Sequence, residues 1–288
     1  GNAGAGQSNN GAGGGRSLSR LLFDTGENQM KRGRIVRWIE RVLLAFALLT
    51  RIPLKLKTKF DIEDFGYSVY FFPLAAAAVG AVTALAYALC WSAGLYVLAI
   101  IAAVIMPVLI TGALHLDGFA DTCDALFSGR DRERMLEIMR DPRLGTMGTA
   151  AVVIELLLRA ALIAELSSLL TPYGMIAVTG AMPLMGKLSL VTGGALHSYA
   201  RAGGTGKHWI DRMNSTHMLL VALTGAALLE VLFNEAWMFL AVVPIVVGAF
   251  TSWRLSRKLG GITGDTLGAL NELGEIFFLA GVLVWVKL

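Results

Sequence analysis

Long apolar runs broken by short polar stretches dominate the chain. Seven runs approach the ~20 residues needed to cross a bilayer core: 66–91, 94–114, 146–170, 173–195, 217–234, 237–253 and 266–286. Pro53, Gly94, Pro172 and the Gly260-Gly261 pair punctuate their boundaries, as residues that break helices do. An earlier run, 38–50 (WIERVLLAFALLT), is too short to span. Basic residues flank it on both sides, Arg37 and Arg41 at its start and Arg51, Lys55, Lys57 and Lys59 after it. It reads as an interfacial or re-entrant helix. The expected fold is all-α: a polytopic membrane helix bundle of about seven transmembrane helices plus this short N-terminal helix. Residues 1–15 hold seven glycines and no charge, so 1–33 is expected to be a disordered, low-complexity extension. Residues 34–288 are expected to form one integral membrane domain.

Composition agrees with that pattern. Hydrophobic residues make up 55% and charged ones 16%, whereas soluble domains have roughly a quarter charged. This argues against an ordinary soluble protein, a disordered chain or a nucleic-acid-binding domain, so no nucleic-acid partner is expected. The net charge of +4 acquires meaning from its distribution. Lys and Arg number eleven in residues 1–65, five in 115–145, three in 196–216 and three in 254–265. The turns at 92–93, 171–172 and 235–236 hold none. Basic residues collect on the cytoplasmic side, so the N-terminus and the three polar loops are expected there. No internal repeat is evident. Cys90 and Cys123 form no CxxC motif and read as packing residues.

Polar clusters at span ends are the candidate chemistry. In His115-Leu116-Asp117-Gly118-Phe119-Ala120-Asp121-Thr122-Cys123-Asp124, the aspartates are spaced i, i+4 and i+7. On a helix they share one stripe, where like charges repel unless a cation lies among them. Magnesium suits such a site, because it takes oxygen ligands and bridges carboxylates to phosphates. The bland reading is a helix end with solvated acids. Residues 130–141 read as an amphipathic surface helix ended by Pro142, and Arg140 and Arg143 are candidates for holding a phosphate. Arg201 and Lys207 lie around a Gly-rich loop that lacks the Walker spacing but can touch a phosphorylated substrate. In 260–275, Asp265 is expected to cap the last helix, and Asp265, Glu272 and Glu275 fall close to one stripe, with Asn271 four before Glu275. Glu155 and Arg159 are spaced to neutralise each other, and Lys187, in mid-span, needs an acid such as Glu230 or Glu155. His197 and His208 have no ligand-like spacing and read as loop residues.

Three stretches carry a family resemblance. HLDGFADTCDALFSGRDRERMLEIMRDPRLGTMG (115–148) resembles the signature region of the cobalamin synthases, adenosylcobinamide-GDP ribazoletransferases. GGITGDTLGALNELGE (260–275) is similar to that family's second signature and FALLTRIPL (46–54) to its N-terminal stretch. Ala125 stands where the family usually has Gly, and Pro142 follows the Asp where a small polar residue is commoner. The resemblance implies a magnesium-dependent, multi-pass enzyme of the bacterial inner membrane with its site facing the cytoplasm. Adenosylcobinamide-GDP and α-ribazole, or its 5′-phosphate, would give adenosylcobalamin, or its phosphate, and GMP. Asp117, Asp121, Asp124 and Asp265 would then be metal ligands and catalytic residues, with Glu272 also catalytic. His115, Arg140, Arg143, Arg201, Lys207, Asn271 and Glu275 would bind substrate. The bilayer is the expected surroundings, and a homo-oligomer or association with other cobalamin-assembly enzymes is a further expectation.

Two other readings compete. A CDP-alcohol-type phosphotransferase would show D-x-x-D-G-x-x-A-R, but the Arg is missing after Asp117-Gly118-Phe119-Ala120-Asp121 and no Asp lies three before Asp117. An ion-coupled transporter would use Lys187, Glu155 and Glu230, but it favours acids in broken helices at the midplane over acids at span ends.

Overall fold

The computed structural model describes residues 34–54, 62–233 and 237–288, so the expected extension 1–33 lies outside the described residues. These residues form a helix bundle whose β-structure, among the described residues, is one isolated bridge. The helices are α1 (Arg34–Leu49), α2 (Ile62–Tyr67), α3 (Phe72–Ser92), α4 (Tyr96–Thr111), α5 (Leu114–Phe127) and α6 (Arg132–Ile138). They continue as α7 (Thr146–Leu169), α8 (Pro172–Leu196), α9 (Thr205–Ile210), α10 (Ser215–Phe233), α11 (Trp237–Leu259) and α12 (Gly264–Lys287). A 3₁₀ turn, Ser68–Phe71, joins α2 to α3.

Local signals explain the boundaries. Pro172 opens α8, where its missing N–H costs nothing, and the Thr171 hydroxyl accepts from the Gly174 N–H at 3.1 Å. The last helix is capped by Thr263, whose hydroxyl accepts from the Thr266 N–H, while the Thr266 hydroxyl accepts from the Thr263 N–H. This corrects the assignment of the cap to Asp265, which sits inside the first turn with its side chain free for other partners.

Among the described residues, four helical stretches are long and apolar enough to cross a membrane: Glu63–Ser92, Thr146–Leu169, Pro172–Leu196 and Gly264–Lys287. A fifth span results if α4 and α5, bent by 90°, are counted as one. The expected segments 217–234 and 237–253 are helical, as α10 and α11, but the apolar part of α10, Ser215–Ala227, is shorter. The multi-pass bundle thus stands, with four or five spans qualifying among the described residues, which does not confirm the expected seven.

The centre of the bundle is α8. Its apolar window is 83% buried against 22% for α7, so α7 faces outward and α8 is enclosed by α3, α10, α11 and α12. Small residues permit that enclosure. A Cβ on Gly80 of α3 would fall 2.0 Å from the Gly180 carbonyl oxygen of α8. In lipid, where apolar burial gains little, such close packing holds helices together. The α1 helix lies against this bundle through Leu44, Ala45 and Leu49 and exposes Val36, Trp38 and Ile39, as an interfacial helix would. Cys90 and Cys123 are free thiols, Cys123 buried.

A candidate active site where α5 crosses α12

An unusual bend aims the first acidic cluster. Gly112 and Ala113 both have positive φ, 63° and 61°, and Ala113 is the one non-glycine to do so among the described residues. A Cβ disfavours that backbone, so the turn must be held by its surroundings. The Ala113 N–H donates to the Val108 carbonyl at 2.8 Å, and the Arg51 N–H donates to the Ile110 carbonyl at 2.6 Å. The bend carries α5 onto α12, where the backbones meet at two glycines. A Cβ on Gly118 would lie 2.7 Å from the Asp265 carbonyl oxygen, and one on Gly268 would lie 2.7 Å from that of His115. This contact sets the acids of α5 beside Asp265.

A cleft of about 380 Å³ opens at this crossing. His115, Asp117, Arg201 and Asp265 line its polar side, and Leu48, Leu49, Phe72, Leu190 and Trp209 an apolar one. Arg201 is positioned by the isolated parallel bridge between Tyr199 and Ile262. There the Ala200 N–H donates to the Ile262 carbonyl at 2.8 Å and the Ile262 N–H to the Ser198 carbonyl at 3.0 Å. The Arg201 guanidinium then donates through Nη2 to Asp265 Oδ2 at 3.0 Å. Arg132, which sequence reasoning passed over, fastens both loops: its Nε donates to the Leu259 carbonyl at 2.7 Å and its Nη2 to that of Ala200 at 3.3 Å.

The cleft is acidic. Asp121 is half-buried on α5, beyond the bend and outside the four spans. Burial, then the charges of Asp117, Asp265 and Asp124, push its carboxyl up to about 7, with Arg201 opposing. Excess like charge of this kind favours a bound cation. The donor chemistry, carboxylate oxygen, fits magnesium. Among the described residues, however, no three His, Cys, Asp or Glu side chains form a ready-made metal cage. Magnesium does not require one, since it is commonly held by one or two carboxylates with waters and substrate phosphates filling the rest.

The model of the cobalamin-5-phosphate synthase family matches residues 41–283. The chain belongs to that family. It is 38% identical to the adenosylcobinamide-GDP ribazoletransferase of Klebsiella pneumoniae (strain 342) over 85% of this chain and 100% of the relative. The enzymes of the same name from Citrobacter koseri and Clostridium acetobutylicum are 37% and 33% identical, over 84% and 85% of this chain and 97% and 96% of theirs. No solved structure matches. The region matched to the cobalamin-5-phosphate synthases starts inside α1 and ends inside α12, and every residue lining the cleft falls within it.

Several residues expected at the site are elsewhere. Asp124 leaves the stripe: its two carboxylate oxygens accept from the backbone N–H groups of Gly145 and Gly148, each at 2.7 Å. It caps the N-terminus of α7, a structural use of its charge. Arg143 grips Asp141 at 2.9 and 2.6 Å on the surface, and the hydrogen bonds from Arg143 hold the Asp141 carboxyl down to about 2. Arg140 is exposed in the same loop, and neither arginine lines the cleft. Lys207 pairs with Asp211 at 2.7 Å on α9, although Gly204 and Gly206 of its loop do line the cleft.

The second-signature acids divide. Asp265 faces the cleft, but Glu272 and Glu275 lie inside the bundle and both bind Arg159 of α7, Glu275 at 2.8 Å. Glu155 completes the set: Arg159 Nε donates to its Oε1 at 2.8 Å. Lys187 is paired neither to Glu155 nor to Glu230. It donates to Asn271 Oδ1, and the Asn271 amide donates to Glu275 at 2.9 Å. Two turns of α12 separate Asp265 from this group, and the group walls a separate cavity of about 20 Å³. His115 lines both that cavity and the cleft.

Proposed function

We propose that this chain is an adenosylcobinamide-GDP ribazoletransferase of the bacterial cytoplasmic membrane, with its cleft open to the cytoplasm. It joins adenosylcobinamide-GDP to α-ribazole, or α-ribazole 5′-phosphate, and yields adenosylcobalamin, or its 5′-phosphate, and GMP. The supporting observation is the meeting of Asp117, Asp265 and Arg201 at one cleft, with Asp121 close enough to feel their charges, in a chain whose relatives bear that name. The orientation rests on the basic loops, which share the cleft's end of the bundle.

In the reaction, a ribose hydroxyl oxygen of the acceptor bonds to the cobinamide-side phosphorus of the diphosphate. The bond from that phosphorus to the bridging oxygen breaks, and its electron pair leaves with GMP. The hydroxyl proton passes to a cleft carboxylate or to water. Arg201 offsets charge on the phosphate oxygens, and the apolar wall of Leu48, Phe72 and Trp209 keeps water from competing as acceptor. Asp117, Asp121 and Asp265 would hold magnesium, which supplies charge neutralisation at the transferring and leaving oxygens. Purified protein with adenosylcobinamide-GDP, α-ribazole and Mg²⁺ should release GMP together with a new cobamide. Absence of both products from folded protein refutes the reading.

A further inference from the structure

A second groove, of about 230 Å³, opens between the C-terminal ends of α5 and α11. Its lining is of two kinds: Leu126, Phe127 and Leu255 are apolar, and Arg254 and Lys258 are cationic. Arg257 precedes Lys258 and is exposed beside it. Among the described residues, no carboxylate lies within ion-pair distance of Arg254, Arg257 or Lys258. Elsewhere the chain supplies acids to its exposed cations: Arg134 holds Glu137, Arg143 holds Asp141 and Lys207 holds Asp211. Here Arg254 and Arg257 lie instead over the ring of Trp253, 6.0 and 5.4 Å from its centroid, a contact that leaves their charge uncancelled.

The sequence of α11 suits a ligand with two unlike ends. Val242, Val246, Phe250, Arg254 and Lys258 recur every four residues. Residues so spaced are neighbours on a helix surface and make one slowly winding ridge. The first three are exposed and apolar, and the last two are exposed and charged. Trp253, also exposed, marks the change, as indole rings do where hydrocarbon gives way to headgroups. Phe127, largely exposed, adds apolar surface from α5. A small soluble anion would use the cations and leave the ridge bare. A zwitterionic lipid would bring its own cation against Arg254 and Lys258. A molecule with net negative phosphate at one end and hydrocarbon at the other satisfies both halves, and a bilayer provides it.

We propose that the groove between α5 and α11 is a binding site for an anionic phospholipid, with its phosphate held by Arg254 and Lys258 and an acyl chain lying along Phe250, Val246 and Val242. Such a site is independent of which reaction the cleft performs. It does touch the frame of the cleft. Phe127 is the last residue of α5, which bears Asp117 and Asp121, and the Leu259 carbonyl, next after Lys258, accepts from Arg132. A bound lipid ties these two helix ends together.

Native mass spectrometry of the full chain in neutral detergent, titrated with phosphatidylglycerol or phosphatidylcholine, tests this. One phosphatidylglycerol should bind about tenfold more tightly than phosphatidylcholine, and it should raise the melting temperature. Arg254→Gln with Lys258→Gln should weaken phosphatidylglycerol about tenfold or more, the scale of removing two cations from an anionic headgroup, and leave phosphatidylcholine within about twofold. Should the double variant fail to fold, each single variant should weaken phosphatidylglycerol about fivefold. Phe127→Ala, which keeps the cations, should also weaken it. Arg140→Gln, which removes an exposed cation outside the groove, should not. Equal binding of the two lipids, or a loss no larger in the groove variants than in Arg140→Gln, overturns the proposal. So does inorganic phosphate that raises melting as much as phosphatidylglycerol, since that marks a site for a soluble anion.

Discussion

Removing Arg159 should do more damage to the fold than any change at the cleft. Its side chain is 1% exposed and binds Glu155, Glu272 and Glu275, whose side chains are 3%, 7% and 4% exposed. Arg159 and Lys187 are the two cations facing these three carboxylates, so the group already carries one excess negative charge when fully ionised. Arg159→Met keeps much of the side-chain volume but leaves three buried acids with one lysine. Stripping one partner from a buried ion pair costs about 3–5 kcal/mol, and here one residue partners three acids, so that figure is a lower range. At roughly 2–4 °C per kcal/mol for a chain of this size, melting in detergent should fall by about 6 °C or more. Glu272→Gln, by contrast, brings the group to formal neutrality and should cost far less. Adding it to Arg159→Met should recover part of the loss, because it removes one of the stranded charges. Melting of the purified variants, followed by light scattering or intrinsic fluorescence, measures all three. An Arg159→Met protein that melts with wild type, or a double variant less stable than Arg159→Met alone, would refute the account of the network.

Asp121 and Asp124 should separate cleanly, although sequence spacing puts them on one stripe. Asp121→Asn should lower turnover by ~10²-fold or more with melting held or raised, since it relieves like-charge crowding; Asp124→Ala should lower stability by about 1–2 kcal/mol through the lost cap, with turnover per folded molecule largely kept. Near-wild-type turnover in Asp121→Asn, or a rate loss without a stability loss in Asp124→Ala, would contradict the assignment. Lys187→Met should be tolerated better than Asn271→Leu, which leaves the ammonium buried without its acceptor, and equal melting of the two variants would count against the pairing. Single cysteines at Ser128 and Gly203 should be shielded from an impermeant thiol reagent in intact cells and one at Ser92 labelled, whereas labelling of Ser128 from outside would reverse the orientation.

The bundle was legible in the sequence because apolar run length is a local property, and so were the acids of the crossing. What misled was geometry that no local pattern carries. The apolar run 94–114 continues into the acidic cluster, and nothing in its hydropathy marks the left-handed pair Gly112-Ala113 that turns α5 by 90°. Spacing put Asp124 in register with Asp117 and Asp121, but a carboxylate can be claimed by whichever N–H groups reach it, and those of Gly145 and Gly148 arrive from a helix 21 and 24 residues later. Glu272 and Glu275 follow Asp265 at stripe-like intervals, yet two turns of rise carry them from an open cleft into a closed interior, where Arg159, with Asn271 and Lys187 beside it, makes their burial tolerable.

These displaced acids explain why the site can be built on glycines. Gly118 and Gly268 give the α5–α12 crossing its closeness but no side chains to hold it in register. Just beyond that contact, Glu272 and Glu275 of α12 reach Arg159 of α7, and Asn271 reaches Lys187 of α8. Three spans are therefore fixed by directional, charge-assisted bonds immediately behind a contact that is itself nondirectional. Asp124 adds a second tie, from α5 to the start of α7. The helix bearing Asp117 and Asp121 and the helix bearing Asp265 are thus both anchored to α7, one through a cap and the other through an ion cluster. A cleft that presents separated carboxylates, as the proposed reading has it, needs that rigidity, because the repulsion among Asp117, Asp121 and Asp265 would otherwise drive the two helices apart.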